Sequence, residues 1–187
     1  MDKPTLDRRE LIGLSERNLS RAIAWVSVAD AKARFISSVA LVAIAYLLPQ
    51  LRWIVGTIVA LYQAGSILMV VILVALAIGT ALSLAICAVL VVLSTYPSRR
   101  TSTDNVSYFY YESIATMPLG AFQERMRQMD DSQAIEGLSE QTYHVAKVVK
   151  TKFDRLATSA RWLLAAVVLE IALLVASQLA VIPGTTN

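Results

Sequence analysis

The longest uncharged stretch of the chain limits its possible folds more than any other feature. Residues 66–94 read SILMVVILVALAIGTALSLAICAVLVVLS and contain no charged side chain. The hydrocarbon core of a bilayer takes about 20 residues of helix at roughly 1.5 Å each, so this stretch can cross it even when tilted. We therefore predict a transmembrane helix over residues 66–94 of an integral membrane protein.

An earlier apolar stretch predicts another span. Residues 33–53 are nearly free of charge and, when read as far as Trp53, reach the length that a span requires. Pro49 is expected to mark the outer end of this helix, and Arg52 and Trp53 then lie where interfacial side chains are typical. Residues 54–65 are interpreted as a short apolar outer connection or as the start of the next helix.

A third apolar stretch, residues 161–182, carries one acid, Glu170, near its middle. Only 17% of all residues are charged, against about a quarter in ordinary soluble domains, so the excess of apolar surface needs lipid. We therefore expect an all-α membrane bundle with two N-terminal spans and one C-terminal span.

The distribution of positive charge predicts the orientation. Lysines and arginines are concentrated in two polar blocks, residues 1–32 and 95–160, whereas the outer end of the first span and the connection after it have only Arg52. Cytoplasmic segments carry such an excess of positive charge in membrane proteins. We therefore expect the N-terminus and both polar blocks in the cytoplasm, and the tail, residues 183–187, outside.

Both polar blocks are predicted to be helical, because apolar residues recur in them at helical spacing. They are Leu11, Leu14, Ala22, Trp25, Ala29 and Ala33 in the first block, and Ile135, Leu138, Val145, Val148, Val149, Phe153 and Leu156 in the second. Each stripe runs into a span, which indicates a cytoplasmic stalk made by the first and third membrane helices. Pro118 and Gly120 indicate a turn between two short helices.

Glu170 is the most costly residue of the chain, because an acid at the centre of a span costs roughly 2.5 to 3.5 kcal/mol. Such residues usually face the interior of a bundle or a water-filled path. Two interpretations stay open: Glu170 lines a polar path, or it is neutral and bonded to a neighbouring helix or simply tolerated.

Small side chains line one face of the second span. Ala75, Gly79, Ser83 and Cys87 lie four residues apart, a pattern that lets membrane helices approach closely. Packing within one chain is favoured over oligomerisation at this face, and Cys87 is interpreted as a space-filling residue.

Catalytic and metal-binding patterns are missing from the sequence. His144 has no second histidine or cysteine at ligand spacing, and no phosphate loop, nucleophile elbow or zinc-protease motif occurs. We therefore predict that the protein is not an enzyme and has neither a metal nor a cofactor. The basic residues near the membrane suit anionic lipid, and a pocket among them could also hold a phosphate.

Three segments carry a resemblance to a known family. WVSVADAKARF at residues 25–35 resembles the signature that precedes the first span of the Pycsar effector membrane family. HVAKVVKTKFDRLATSARW at residues 144–162 is similar to the family's helix before its last span, and YFYYESIA at residues 108–115 resembles an aromatic stretch after its second span. The resemblance covers most of the chain in order.

The resemblance implies an effector of bacterial antiphage defence. Its cytoplasmic part would sense a cyclic pyrimidine mononucleotide, cUMP or cCMP, made by a partner cyclase, and its membrane part would impair the inner membrane and cause abortive infection. Membrane lipid and this nucleotide would then be its partners, with no nucleic acid polymer among them. Because three helices enclose little space, a pore would need a homo-oligomer.

Four residues match the family segments and become candidates for binding the ligand or coupling the stalk: Asp30, Lys32, Lys152 and Phe153. Asp30 and Lys32 do not share a helix face, so Asp30 is better placed to pair with a cation of the other stalk helix. Such a structural ion pair is favoured over direct contact with a nucleotide.

Two other functions remain open from the residues alone. The amphipathic stripes and the lack of catalytic residues also suit a membrane scaffold that recruits a soluble partner. A small channel or transporter subunit is the second alternative, and Glu170 is its only support.

Overall fold

The chain is entirely helical in its described parts, which are residues 7–96 and 111–181 of a computed structural model. The helices are α1 (Arg8–Gln63), α2 (Ile67–Thr95), α3 (Tyr111–Thr116), α4 (Leu119–Gln128) and α5 (Asp131–Val181). About 94% of the described residues are helical, with no strand among them. Three helices, α1, α2 and α5, are long and apolar enough to cross a membrane, so the predicted all-α fold with three spans is confirmed.

The helices group into two compact units. The polar unit comprises residues 1–30 and 97–152, and the membrane unit comprises residues 31–96 and 153–187. Both α1 and α5 contribute to each unit without a break in the helix. The predicted continuation of the first and third membrane helices into the polar blocks is therefore confirmed. The predicted external tail, residues 183–187, lies outside the described residues.

The first helix differs from expectation at its outer end. Pro49 does not end α1, which runs on to Gln63, so the prediction of an outer connection over residues 54–65 is wrong for all but its last two residues. A proline costs the helix one backbone hydrogen bond, and spanning helices tolerate this loss. Burial of Ile54 with Leu73 and Leu173 gives the helix a packing reason to continue.

A glycine forms the short turn between the end of α1 at Gln63 and the start of α2 at Ile67. Gly65 has a φ of 75°, in the left-handed region that L side chains rarely adopt. The Gly65 amide donates to the Tyr62 carbonyl at 3.1 Å, and the Ser66 amide donates to the Leu61 carbonyl at 2.9 Å. These two bonds form a Schellman cap, which satisfies carbonyls that the end of α1 would otherwise leave unpaired.

Hydrogen bonds of side chains define the start of α5. The Gln133 amide donates to Asp130 Oδ1 at 2.7 Å, and the Asp130 amide donates to Gln133 Oε1 at 3.4 Å. This reciprocal pair is a capping box. The bond from the Gln133 amide is the main cause that holds the pKa of Asp130 below its ordinary value.

Inward-facing residues of α1 and α5 alternate at spacings of three and four, which is the heptad pattern of coiled coils. In the membrane unit the buried or half-buried positions are Ala33, Ile36, Ala40, Ala43, Leu47, Gln50, Ile54, Thr57 and Leu61 of α1, and Leu156, Ser159, Leu163, Ala166, Glu170, Leu173 and Ser177 of α5. In the polar unit they are Ile12, Ser15, Leu19, Ala22, Val26 and Ala29 of α1, and Leu138, Thr142, Val145, Val149 and Lys152 of α5.

This pattern confirms most of the predicted stripes and corrects two positions. The predicted residues of α5 are all buried or half-buried, as are most of those of α1. Trp25 and Leu14 were assigned to the packed stripe, but 55% of Trp25 and 39% of Leu14 are exposed. The 3–4 repeat passes through Val26 instead of Trp25, because one step along a helix turns a side chain by about 100°.

The predicted turn near Pro118 is also confirmed. Pro118 lies between α3, which ends at Thr116, and α4, which begins at Leu119, whereas Gly120 falls inside α4. Residues 108–110 of the aromatic segment are outside the described part of the chain.

Candidate functional site

An ion pair joins the two long helices of the polar unit. Lys152 Nζ lies 2.6 Å from Asp30 Oδ1, so the expected pairing of Asp30 with a cation of the other helix is confirmed. The exposed fraction is 12% for the Lys152 side chain and 43% for Asp30. Lys152 occupies an inward position of the heptad pattern, where a single polar residue sets the register of paired helices at some cost in stability.

The other two candidate residues form a second contact, within the membrane unit. Lys32 Nζ lies 4.9 Å from the centre of the Phe153 ring, a cation–π distance. All four family-matched residues therefore have partners within the chain. Their direct contact with a nucleotide stays a prediction.

A groove on the polar unit lies between α1 and α5. It has a volume of about 330 Å³ and is lined by Asn18, Arg21, Ala22 and Trp25 of α1 and by Ala146, Val149 and Lys150 of α5. Arg21 and Trp25 are one helical turn apart, as are Ala146 and Lys150. The groove thus combines a guanidinium, an ammonium and an indole on an apolar floor.

These side chains suit a small planar anion. An arginine can bind a phosphate through two parallel hydrogen bonds, and a lysine adds a point charge. The face of a tryptophan offers a stacking surface for a base. The groove can therefore contact both the anionic and the aromatic part of a nucleotide.

Sequence reasoning did not predict this groove. The basic residues of the polar blocks predicted the orientation, contact with anionic lipid and a possible phosphate pocket, but not which of them come together, and the spacing of Trp25 predicted a packed position. A signal existed in the spacing of Arg21 and Trp25, which places both on one face of α1. The missing information was which faces of α1 and α5 meet, since the sequence between Gln63 and Asp131 separates the two helices.

Glu170 is buried inside the membrane unit, with 4% of its surface exposed. Its Oε1 atom has no hydrogen-bond partner among the described residues. An unsatisfied buried acceptor costs about 1–3 kcal/mol. The structure therefore shows no hydrogen bond from a neighbouring helix to Oε1 of this carboxyl. A role of Glu170 in a polar path stays a prediction.

The small residues of α2 differ in their surroundings. A Cβ atom placed on Gly79 would lie 3.3 Å from a methyl carbon of Leu169, so Gly79 allows α2 to approach α5 closely. Ser83 is buried and Ala75 is exposed. Cys87 does more than fill space, because its sulfur lies 3.3 Å from the Ser159 hydroxyl, which also lies 3.2 Å from the Cys87 carbonyl.

Substitutions at Gly79 test this close approach. We expect Gly79→Ala to change stability little, because the gain in helix propensity offsets a contact that the flexible end of Leu169 can relieve. Gly79→Leu should destabilise the bundle by about 1–3 kcal/mol through overpacking. Thermal unfolding in detergent measures both, and Ala75→Leu on the same helix is the exposed control. Equal losses of thermal stability in Gly79→Leu and Ala75→Leu would contradict the close approach of α2 to α5 at Gly79.

His144 contacts two side chains of its own helix. Its Nε2 atom lies 3.5 Å from Glu140, one turn away, and its ring packs edge-on against Tyr143. Within residues 7–96 and 111–181, no group of three or more His, Cys, Asp and Glu side chains could hold a metal ion.

The fold and the site define the class of the protein. It is a helical membrane protein in which two spanning helices extend into a polar unit with a basic groove. The family model of the Pycsar effector protein domain (PycTM) matches residues 14–181. Because this match covers most of the chain, the protein belongs to the Pycsar effector family and has an antiphage effector role. No similar curated protein and no similar solved structure was found.

Proposed function

We propose that this effector senses a cyclic pyrimidine mononucleotide, cUMP or cCMP, and in response impairs the bacterial inner membrane, which causes abortive infection. A partner cyclase supplies the nucleotide during phage infection. The observation that carries the proposal is the basic, tryptophan-containing groove of the polar unit, on the same two helices that continue as spans.

The chemistry of the groove fits one cyclic phosphate. A cyclic mononucleotide carries a single negative charge, which Arg21 and Lys150 can neutralise from opposite helices. Trp25 provides the surface for the base. The volume of about 330 Å³ is at the small end of ligand pockets, which range over about 300–1,000 Å³, and is large enough for a mononucleotide.

Continuous helices give the proposed signal a route to the membrane. A ligand held by Arg21 of α1 and Lys150 of α5 draws the two helices to a preferred spacing, and each helix is unbroken from there to the end of its span. Packed helices respond to such biases by small shifts and rotations. Because cytoplasmic segments carry an excess of basic residues, the proposal places the polar unit in the cytoplasm, where the nucleotide is made.

Binding of the nucleotide is the first test. The purified full-length protein in detergent is titrated with cUMP and with cCMP by isothermal calorimetry, and linear UMP and cyclic AMP serve as controls. We expect micromolar affinity for one cyclic pyrimidine nucleotide, about −8 kcal/mol, and much weaker binding of the controls. Absence of binding of both cyclic pyrimidine nucleotides would contradict the proposal.

An oligomer is proposed as the active form, since three helices of one chain leave little space for permeation. Chemical cross-linking in proteoliposomes with and without nucleotide tests this point. We expect discrete oligomers that increase with nucleotide, whereas a monomer under both conditions would contradict it.

A further inference from the structure

We propose that Glu170 is a cation-binding site of the membrane unit, whose carboxylate holds a monovalent cation in a hydrated path when the spanning helices part. This inference rests on the proposed impairment of the membrane and adds what crosses it. Rings of acidic side chains give cation channels their preference over anions.

The first support is the position of Glu170 between two dry layers. It lies one turn before Leu173, which is 1% exposed and packs with Ile54 and Leu73. On its other side, one turn away, Ala166 is 0% exposed. Glu170 is thus enclosed by buried apolar residues, as a closed path would require.

The second support is the unpartnered Oε1 atom of Glu170. A closed bundle that leaves a buried acceptor unsatisfied is disfavoured relative to an arrangement in which water or a cation reaches that atom. Any shift that separates the helices at this level is therefore favoured by hydration of Glu170. The carboxyl both lowers the barrier to opening and supplies the charge that selects the ion.

Buried hydroxyl groups elsewhere in the membrane unit supply further oxygen atoms that a cation could meet along the helices. Thr57, Thr80 and Ser177 are buried and donate their hydrogens to carbonyls of their own helices, at 3.0, 2.8 and 2.8 Å. Their oxygen lone pairs remain as acceptors, which suits a cation and not an anion. The hydroxyls do not satisfy Glu170 Oε1, in agreement with its lack of a partner.

A polar residue of α1 lies at the level of Glu170. In the membrane unit α1 and α5 run in the same direction, because Lys32 meets Phe153 and Ile54 meets Leu173. Gln50 precedes Ile54 by one turn, as Glu170 precedes Leu173, and Gln50 is half-buried at an inward position. The basic residue of this part of α1, Arg52, is exposed and lines a different surface groove with Pro49 and Gly56.

Ion selectivity tests the inference. Full-length protein is reconstituted in planar bilayers of anionic lipid, and the permeability ratio of K⁺ to Cl⁻ is measured from the reversal potential in a KCl gradient, both for nucleotide-triggered current and for basal current at high protein load. We expect a preference for K⁺ of about tenfold or more in the wild type, retained in Glu170→Asp and lost in Glu170→Gln.

The outcomes separate this inference from the function on which it rests. Current without cation preference in the wild type overturns the cation site and leaves membrane impairment standing. A permeability ratio of K⁺ to Cl⁻ that is the same in Glu170→Gln and in the wild type also overturns the cation site. Absence of any current, with or without nucleotide, contradicts both. If Glu170→Gln fails to reconstitute, the wild-type ratio still decides, because a nonselective wild-type current overturns the cation site.

Discussion

Replacing Arg21 and Lys150 together by glutamate is expected to abolish nucleotide binding. Each cation forms a charged hydrogen bond with the phosphate in the proposed complex, and such bonds contribute about 1.5–3 kcal/mol. Loss of both therefore weakens binding by about a hundredfold or more, and the new acids add repulsion. Calorimetric titration of the purified double variant with cUMP and cCMP measures this loss. Both residues are exposed, so the fold should persist.

A matched double variant controls for total charge. Arg17 and Lys147 are exposed cations of the same two helices and do not line the groove. Arg17→Glu with Lys147→Glu changes the net charge equally, and we expect at most a few-fold loss of affinity, from long-range electrostatics. An equal loss in both double variants would show that general charge, and not the groove, attracts the nucleotide.

The aromatic part of the groove has its own expected effect. Trp25→Ala should weaken binding by about tenfold or more, since stacking of a base on an aromatic ring contributes about 1–3 kcal/mol. Trp25→Phe should retain part of that affinity. Identical affinity of the wild type and Trp25→Ala would remove the indole from the proposed site.

Asp30→Leu is expected to destabilise the polar unit far more than Lys152→Leu. Without Asp30, the Lys152 side chain, which is only 12% exposed, loses its carboxylate partner, and this loss costs about 3 kcal/mol. Without Lys152, the Asp30 side chain, which is 43% exposed, can still be hydrated, so the loss is about 1 kcal/mol or less. Thermal unfolding in detergent, followed by circular dichroism, compares the two variants.

Two further variants sharpen this test. The double variant Asp30→Leu with Lys152→Leu should regain most of the stability, because it leaves no unpaired charge between the two helices. Lys147→Leu is the exposed control on α5 and should change little. Equal losses in Asp30→Leu and Lys152→Leu would contradict the asymmetry that the two exposures imply.

Spans and helical stripes were predictable because they depend on local composition and spacing. Residues 66–94 have no charge, and this alone requires a long apolar helix. The fate of Pro49 was not predictable in this way. Whether a helix continues through a proline depends on what its later residues pack against, and here Ile54 meets Leu73 and Leu173 from two other helices.

The candidate site was predictable only in part, for a similar reason. The pairing of Asp30 with a cation of the other helix was predictable, because Asp30 and Lys32 are two residues apart and therefore lie on different faces of α1. The groove required knowledge of which face of α1 meets α5, and Trp25 shows the difficulty. Its spacing from other apolar residues suggested a packed position, but the heptad repeat passes through its neighbour Val26 and leaves 55% of Trp25 exposed.

Nucleotide-triggered permeabilisation tests the central claim most directly. Wild-type protein and the double variant Arg21→Glu with Lys150→Glu are reconstituted in liposomes of anionic lipid that contain a self-quenched dye, with the polar unit accessible from outside. Addition of the cyclic pyrimidine nucleotide should release dye from wild-type liposomes within minutes and leave those of the double variant intact. Binding of the nucleotide without release, or equal release from both proteins, would contradict the account.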